Sequence, residues 1–242
     1  MIEAILFDFG QTLVNSADGF RKAEKDAQTL IFEELGLESW PGFLSDYRKL
    51  RQDFHARLNF SRKELWQALY AHYDREPDEG TLLRAEQDYW ETIKALTKPF
   101  SETETVLGRL ASGLRLGLVT NTQGQRAPGQ HRLSLFPEIK KFFDAIIVAG
   151  EDGIPPKPAP EPFLMCLEGL GISPSEAVYV GDDWRIDICG AKEVGMQPIW
   201  LQHHSVSRNW PEVETPAPII TSLEQLLEWL SKIHQRYPNV HT

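Results

Sequence analysis

Four groups of polar residues stand where apolar runs of the chain end, and together they could do chemistry. They are Asp8, Thr120, Lys157, and the acidic cluster of Asp182, Asp183 and Asp187. Each follows a run that is expected to be a buried strand, or lies in the loop beyond one. Because the carboxyl ends of parallel strands share one edge of a sheet, we expect these groups to meet in space.

A cluster of carboxylates repels itself unless a hard cation neutralises the excess negative charge. Carboxylates with few other ligands suit Mg²⁺ shared with a phosphate group. Such an ion lets a carboxylate approach a phosphoryl group, so Asp8 can act as a nucleophile and form an aspartyl-phosphate. Thr120 and the backbone amides of Asn121 and Thr122 can hold phosphoryl oxygens. Lys157 can pair with those oxygens and with Asp8.

Each of these residues also has an ordinary structural interpretation. An aspartate after a glycine, as in Gly181-Asp182-Asp183, commonly caps the helix that follows. Lys157 alone would be a solvated loop lysine, and Thr120 alone a cap. We favour the chemical interpretation because all four groups stand at predicted strand ends together.

An alternation of strands and helices must position these groups. The apolar run Ala4–Phe7 is typical of a strand in a parallel sheet that is covered on both faces. Further strands are predicted over residues 114–119, 143–148, 177–180, 198–201 and 218–220. Helices are predicted from a Ser101/Glu104 capping box to residue 111, between Thr122 and Phe143 with an interruption at Pro128-Gly129, and over residues 160–170, 186–194 and 223–234. This order predicts an α/β fold with a doubly wound, Rossmann-like parallel sheet.

A long stretch after the first strand is helical throughout. Amphipathic helices are predicted at about 17–37, 43–58, 61–73 and 78–96, with Ser61 and Glu64 as a capping box for the third. We therefore predict an inserted helical-bundle cap domain over residues 16–97 and a Rossmann-like core domain over residues 1–15 and 98–242. The aromatic residues of the insertion are expected to form the core of the bundle.

Composition narrows the possible partners. The chain has 242 residues, 41% of them hydrophobic, and a net charge of −10. An acidic chain without a basic run argues against nucleic acid and anionic membrane. Cys166 and Cys189 are the only cysteines, which gives neither a disulfide framework nor a zinc pattern. Because no signal-like or membrane-length segment is visible, we expect a cytoplasmic protein, either a monomer or a homodimer.

Taken together, these segments resemble the four motifs of the haloacid dehalogenase (HAD) superfamily. The motif residues are Asp8-Phe9-Gly10-Gln11-Thr12, Leu118-Val119-Thr120-Asn121, Lys157-Pro158, and Val180-Gly181-Asp182-Asp183 with Asp187. Their order and the helical insertion after the first motif resemble the phosphatase-like branch with a small helical C1 cap. The resemblance spans almost the whole chain.

The resemblance implies a hydrolase with three catalytic residues, Asp8, Thr120 and Lys157. Asp8 would be the nucleophile, and Lys157 would orient both Asp8 and the phosphate. The phosphate-binding residues would be Thr12, Thr120, Asn121 and Lys157. The implied substrate is a small phosphorylated metabolite.

The resemblance also implies a bound Mg²⁺ ion. Its ligands would be the carboxylates of Asp8 and Asp182 and the backbone carbonyl of Gly10. Asp183 or Asp187 would support the metal shell.

Gly10 departs from the phosphatase pattern, which usually has a second aspartate here as general acid and base. Loss of a positioned acid costs on the order of 10²–10⁴ in rate. We therefore expect a phosphatase that favours good leaving groups, such as an anomeric sugar phosphate, or one that recruits another proton donor. Restoring the acid with Gly10→Asp should raise the turnover of poor leaving groups.

Two alternative functions stay open. Dehalogenase-like hydrolases of the superfamily also lack the second aspartate, but they need no metal and therefore no acidic cluster. A weakly active homologue that binds a ligand or a protein partner is favoured only by Gly10. His203-His204 is expected to be a surface turn and not a ligand pair, because no partner carboxylate stands at metal spacing.

Overall fold

This computed structural model describes residues 1–122 and 131–236, the side chains of 234–236 excepted. The chain divides into two compact units. The first, called here the sheet unit, holds Met1–Asn15, Lys98–Asn121 and the described residues from His131 onward. The second, called the helical unit, holds Ser16–Thr97. Of the helical stretch predicted between Thr122 and Phe143, the first part and Pro128-Gly129 lie outside the described residues, and the second part holds a 3₁₀ helix, Arg132–Leu135, and a short α-helix, Pro137–Lys140.

A parallel sheet of six strands forms the centre of the sheet unit. The strands of the protein are β1 (Ala4–Phe7), β2 (Val14–Asn15), β3 (Lys98–Pro99), β4 (Arg115–Asn121), β5 (Ala145–Ala149), β6 (Ala177–Gly181), β7 (Gln197–Leu201) and β8 (Ile219–Ile220). The order across the sheet is β5-β4-β1-β6-β7-β8, with every neighbouring pair parallel. β1 is therefore central, and Phe7 aligns with Leu118 of β4 and Val180 of β6.

Helices cover both faces of this sheet. They are α5 (Thr103–Ala111), α6 (Pro137–Lys140), α7 (Pro160–Leu170), α8 (Cys189–Glu193) and α9 (Glu224–Arg236), and α1 to α4 belong to the helical unit. Alternate residues of β1 enter two different apolar clusters, Ile5 and Phe7 with α5 and α9, Ala4 and Leu6 with α7 and α8. Because strand side chains alternate between faces, this two-sided burial explains the unbroken apolar run of β1. The predicted doubly wound sheet is confirmed.

The helical unit is a bundle with its own apolar core. Its helices are α1 (Ala17–Leu35), α2 (Trp40–Ala56), α3 (Arg62–His72) and α4 (Glu79–Leu96). The side chains of Ser39, Ser61 and Asp78 accept hydrogen bonds from backbone N–H groups and cap α2, α3 and α4. Gly36, at φ 63°, ends α1 in the left-handed conformation that glycine adopts readily. The buried aromatics of the insertion form this core, as predicted.

Local details differ from the sequence prediction in three places. Ser101 and Glu104 do not form a capping box, because Glu102 is the N-cap of α5 and Ser101 Oγ donates to its carboxylate. The helix predicted at 186–194 is a π-helical turn, Trp184–Ile188, followed by α8. The antiparallel ribbon of β2 and β3 was not predicted. Its two-residue strands are too short to show an alternating pattern.

His203 is buried, at 2% exposure, so the predicted surface turn is wrong for this residue. Its Nε2 lies 2.9 Å from the Glu102 carboxylate, and its ring stacks on Phe100 at a centroid distance of 3.6 Å. The carboxylate partner comes from a distant part of the chain, which sequence spacing cannot show. His204, the next residue, is exposed as expected.

In the parts of the chain that the structure describes, no helix has both the length and the apolarity needed to cross a bilayer.

Candidate active site

Asp8 directly follows the central strand, with its backbone N–H bonded to the Val180 carbonyl at 3.0 Å. Its side chain is largely buried. The ends of β4 and β6 lie on either side, so Thr120 and Asp182 stand at the same edge as Asp8. The sequence predicted that these groups meet because parallel strands end at the same edge of a sheet, and β1, β4 and β6 are parallel neighbours.

Lys157 occupies the centre of the site. Its Nζ lies within hydrogen-bond distance of four oxygens: Asp8 Oδ1 at 2.8 Å, Asp187 Oδ1 at 2.7 Å, the Val119 carbonyl at 2.8 Å and the Tyr179 hydroxyl at 2.8 Å. Burial alone would lower the pKa of the ammonium, but the carboxylates of Asp187 and Asp8 raise it. Lys157 is therefore a permanent buried cation, and it holds one oxygen of Asp8 in place.

The loop that carries Lys157 is fixed by Asn121 at the end of β4. Asn121 Nδ2 donates to the Lys157 carbonyl at 3.1 Å, and the Lys157 N–H donates to Asn121 Oδ1 at 2.8 Å. Both ends of the amide side chain are thus used to position Lys157. The phosphate-binding role predicted for Asn121 concerns its backbone amide, which these side-chain bonds leave untouched.

Three buried carboxylates lie close enough to share a cation. Oxygen atoms of Asp8, Asp182 and Asp187 lie within 4.8 Å of one another. Burial and the charges of the neighbouring carboxylates raise the pKa of Asp182, and burial raises the pKa of Asp187 to about 6 despite Lys157. These shifts report excess negative charge. Hard carboxylate oxygens at this spacing fit Mg²⁺, which binds oxygen at about 2.1 Å.

The three aspartates that follow β6, Asp182, Asp183 and Asp187, have different contacts. Asp183 Oδ1 accepts the N–H groups of Arg185 at 3.0 Å and Ile186 at 2.9 Å, so it caps the π-helical turn. Asp187 returns to the site because Gly181 leaves room, since a Cβ at Gly181 would lie 2.4 Å from the Cβ of Asp187. Of the two candidates for the metal shell, Asp187 is the one grouped with Asp8 and Asp182.

Two threonines of the predicted phosphate-binding set are buried, Thr12 in the loop after Asp8 and Thr120 in β4. Thr120 is 2% exposed near the end of β4. Thr12 is fully buried, and its hydroxyl has no hydrogen-bond partner among residues 1–122 and 131–236. Gln11, just before it, has φ 58°, so the loop after Asp8 turns sharply. An unsatisfied buried hydroxyl in such a loop can donate to an anion.

Two groups that contact this site, Tyr179 and Arg208, were not predicted from the sequence. Tyr179 donates its hydroxyl to the Val119 carbonyl at 2.9 Å and so braces Lys157. The Arg208 guanidinium pairs with Asp182, lies 3.6 Å from Asp183 and stands over the Trp210 ring. Tyr179 was hidden in an apolar strand pattern, and Arg208 in a polar loop with no motif.

A family model described as haloacid dehalogenase-like hydrolase matches residues 2–195 of the chain. Among curated proteins, the chain is 28% identical over 219 residues to a glyceraldehyde 3-phosphate phosphatase from Methanopyrus kandleri, covering 90% of this chain and 91% of the relative. It is 31% identical over 242 residues to a phosphoglycolate phosphatase from Shigella sonnei, covering 96% and 94%.

Solved structures agree with the sheet and insertion described above. A 2-haloacid dehalogenase from Pseudomonas syringae is 27% identical with a TM-score of 0.66, covering 96% of this chain and all of that one. A HAD phosphatase from Thermococcus onnurineus is 25% identical with a TM-score of 0.65, covering 95% and 98%. The resemblance inferred from the four motifs is confirmed.

Proposed function

We propose that this protein, which belongs to the haloacid dehalogenase-like hydrolase family, is a Mg²⁺-dependent phosphomonoester hydrolase that acts on a small phosphorylated metabolite. The observation that carries the proposal is Asp8 held by the buried Lys157 ammonium beside the carboxylates of Asp182 and Asp187. The phosphatase names of the curated relatives support the same class of substrate.

The proposed reaction begins with attack of an Asp8 oxygen on phosphorus. Lys157 fixes Asp8 Oδ1, which leaves the second oxygen as the nucleophile. The Thr12 and Thr120 hydroxyls would donate to phosphoryl oxygens. Water then hydrolyses the aspartyl-phosphate and restores Asp8.

Asp8, Asp182 and Asp187, with the Gly10 carbonyl, would hold Mg²⁺, which supplies positive charge that lets an anionic nucleophile meet an anionic phosphate. Asp187 already accepts hydrogen bonds from Lys157 and from the Asp183 N–H at 3.0 Å, so it is held firmly in position. This support would keep the ligand geometry fixed.

The test is hydrolysis of p-nitrophenyl phosphate with and without Mg²⁺ by wild type, Asp8→Asn and Asp182→Asn. We expect Asp8→Asn to lose on the order of 10⁴-fold or more in kcat, because removal of a nucleophile abolishes the covalent route. Asp182→Asn should lose the stimulation by Mg²⁺. Asp144→Asn is the matched control, since that carboxylate is half-exposed and pairs with Arg115.

Wild-type activity in Asp8→Asn would remove the nucleophile assignment. The dehalogenase alternative is tested in the same experiment by halide release from a 2-haloacid in the absence of metal. Halide release without any phosphatase activity would replace the proposal. A screen of phosphorylated metabolites with Mg²⁺ then identifies the substrate.

A further inference from the structure

The position of the missing general acid is filled by an arginine. A Cβ built on Gly10 would lie 3.3 Å from Nη2 of Arg132. An aspartate at this position would stand beside the guanidinium, which would have to give way by a few tenths of an ångström. Arg132 is 3% exposed, so its charge is withdrawn from solvent and acts locally.

Arg132 and His131 both pack on the loop that follows Asp8. Arg132 opens a 3₁₀ helix, Arg132–Leu135, and its guanidinium carbon lies 5.8 Å from the centre of the Phe9 ring. The His131 ring meets the same Phe9 ring edge-on at a centroid distance of 5.4 Å. Two consecutive polar side chains therefore border the residue that precedes Gly10.

His131 offers a hydrogen-bond donor that the fold does not use. Its Nδ1 accepts the Leu133 N–H at 3.2 Å, so a neutral ring carries its proton on Nε2. Burial, with the nearby charges of Arg132 and Lys157, lowers the pKa of this ring to about 3. In the described part of the chain, Nε2 has no hydrogen-bond partner. The neutral ring thus presents an N–H group beside two cations.

We propose that Arg132 takes the place of the absent acid, and that it stabilises the departing oxygen by fixed positive charge, with the His131 Nε2–H as a second donor. This proposal rests on the phosphatase function proposed above. A fixed positive charge in place of an acid favours substrates whose leaving groups are stable anions, namely acyl phosphates and anomeric sugar phosphates.

The bond changes require no proton from the enzyme. The Asp8 oxygen forms a bond to phosphorus, the bond from phosphorus to the leaving oxygen breaks, and its electron pair stays on that oxygen. The guanidinium keeps all its protons, because arginine is not deprotonated in proteins. The leaving group departs as an anion and takes a proton from water afterwards.

The experiment measures how kcat/KM depends on leaving-group acidity, using acetyl phosphate and a graded series of aryl phosphates. Wild type is compared with Arg132→Met, which removes the charge, and Arg132→Lys, which keeps it. We expect Arg132→Met to lose roughly 10²-fold on the poorest leaving groups and much less on acetyl phosphate. Arg132→Lys should recover part of the loss, which also separates the effect of charge from a failure to fold.

Arg115→Met is the matched control. Arg115 belongs to the same unit, is half-exposed and pairs with Asp144, so its removal should leave the leaving-group dependence unchanged. A second pair of variants tests whether the Arg132 guanidinium lies where the side chain of an acid at position 10 would be. Gly10→Asp should raise the turnover of poor leaving groups more in the Arg132→Met background, where no guanidinium pairs with the new carboxylate.

The outcomes separate the two proposals. An equal loss on every substrate in Arg132→Met, or no loss at all, would overturn the role of Arg132 while leaving the phosphatase function intact. Equal rescue by Gly10→Asp in both backgrounds would show that Arg132 does not occupy the acid's place. If wild type hydrolyses none of these phosphates in an Asp8-dependent way, both proposals fall.

Discussion

Two buried cations, Arg62 in the helical unit and Lys157 in the sheet unit, have different surroundings. In the helical unit, Arg62 Nε donates to the Tyr89 hydroxyl at 2.9 Å and lies 3.6 Å from Glu24. Tyr89 in turn donates to Glu24 at 3.1 Å. In the sheet unit, Lys157 contacts two carboxylates, Asp8 and Asp187.

The difference lies in the balance of charge. In the helical unit Glu24 pairs with both Arg62 and the partly exposed Arg51, so no carboxylate there is in excess. Burial raises the pKa of Tyr89 to about 12, so the phenol stays neutral. In the sheet unit Lys157 pairs with two buried carboxylates, Asp8 and Asp187, and a third, Asp182, pairs with the partly exposed Arg208. Burying excess charge costs free energy of folding. A balanced network serves structure, whereas the unbalanced one marks the place where a cation and an anionic substrate fit.

Removing each cation is the strongest test of this contrast. Lys157→Met should lower the free energy of unfolding by about 3–5 kcal/mol without metal, because it leaves buried carboxylates unpaired. It should also abolish most phosphatase activity. Arg62→Met should lower the free energy of unfolding by about the same amount, yet leave kcat of the folded enzyme unchanged. Urea unfolding and steady-state kinetics measure the two effects.

The effect of Mg²⁺ on the stability of these two variants is a second test of the difference between the two buried cations. A ligand that binds only the folded state stabilises it by about 2.7 kcal/mol at a hundred times its Kd. Because carboxylates outnumber the cation around Lys157 and do not around Arg62, Mg²⁺ should recover part of the stability lost in Lys157→Met and add no extra recovery to Arg62→Met. Equal recovery in both variants would contradict the contrast.

Acid should act on the sheet unit through His131. Its pKa is about 3 in the folded protein and 6.5 ordinarily, so the unfolded chain binds a proton more readily as pH falls below 6.5. The stabilising contribution is present above pH 6.5 and is lost progressively towards pH 3. From this group alone, the free energy of unfolding should be about 2 kcal/mol lower at pH 5 than at pH 8.

Urea unfolding at several pH values, with His131→Gln beside wild type, measures this contribution. The variant should lose that part of the pH dependence. Arg62→Met should keep it, because the raised pKa of Tyr89 in the helical unit lies far above this range. A pH dependence that is identical in wild type and His131→Gln would contradict the prediction.

The smallest expected effect concerns Ser61 and Ser101, which each stand three residues before a glutamate in the sequence. Ser61 Oγ accepts the Glu64 N–H at 3.3 Å and caps α3 in the helical unit, whereas Ser101 is not a cap in the sheet unit. Ser61→Ala should lower the free energy of unfolding by about 1 kcal/mol. Ser101→Ala should change it by less than about 0.5 kcal/mol. A loss of equal size in both variants would mean that Ser101 caps α5 in solution.

The features that could be predicted from the sequence are those that local residue patterns determine. The apolar run of β1 and the polar groups at its end indicated a covered parallel strand with a site beyond it, and topology then placed Asp8 between Thr120 and Asp182. Lys157 was found because a loop lysine among strand-end acids has a plain electrostatic use.

What the sequence could not show depends on distant partners. Tyr179 looked like any residue of a buried strand, and its hydroxyl gained a role only through Lys157. Arg132 carried no signal at all, because its meaning comes from the space left by Gly10 on another loop. The capping pattern of Ser101 and Glu104 failed because Glu102 begins the helix instead.

The ribbon of β2 and β3 joins the places where the chain leaves the sheet unit and returns to it. Val14 aligns with Pro99 and Asn15 with Lys98, and at the base of the helical unit Thr97 Oγ1 donates to Ser16 Oγ at 3.1 Å. A flexible excursion of this length would add closure entropy that grows with the logarithm of its length. The helical unit instead brings its own ends together as it folds. A tight turn from Asn15 to Lys98 would therefore suffice to close the sheet unit without the insertion.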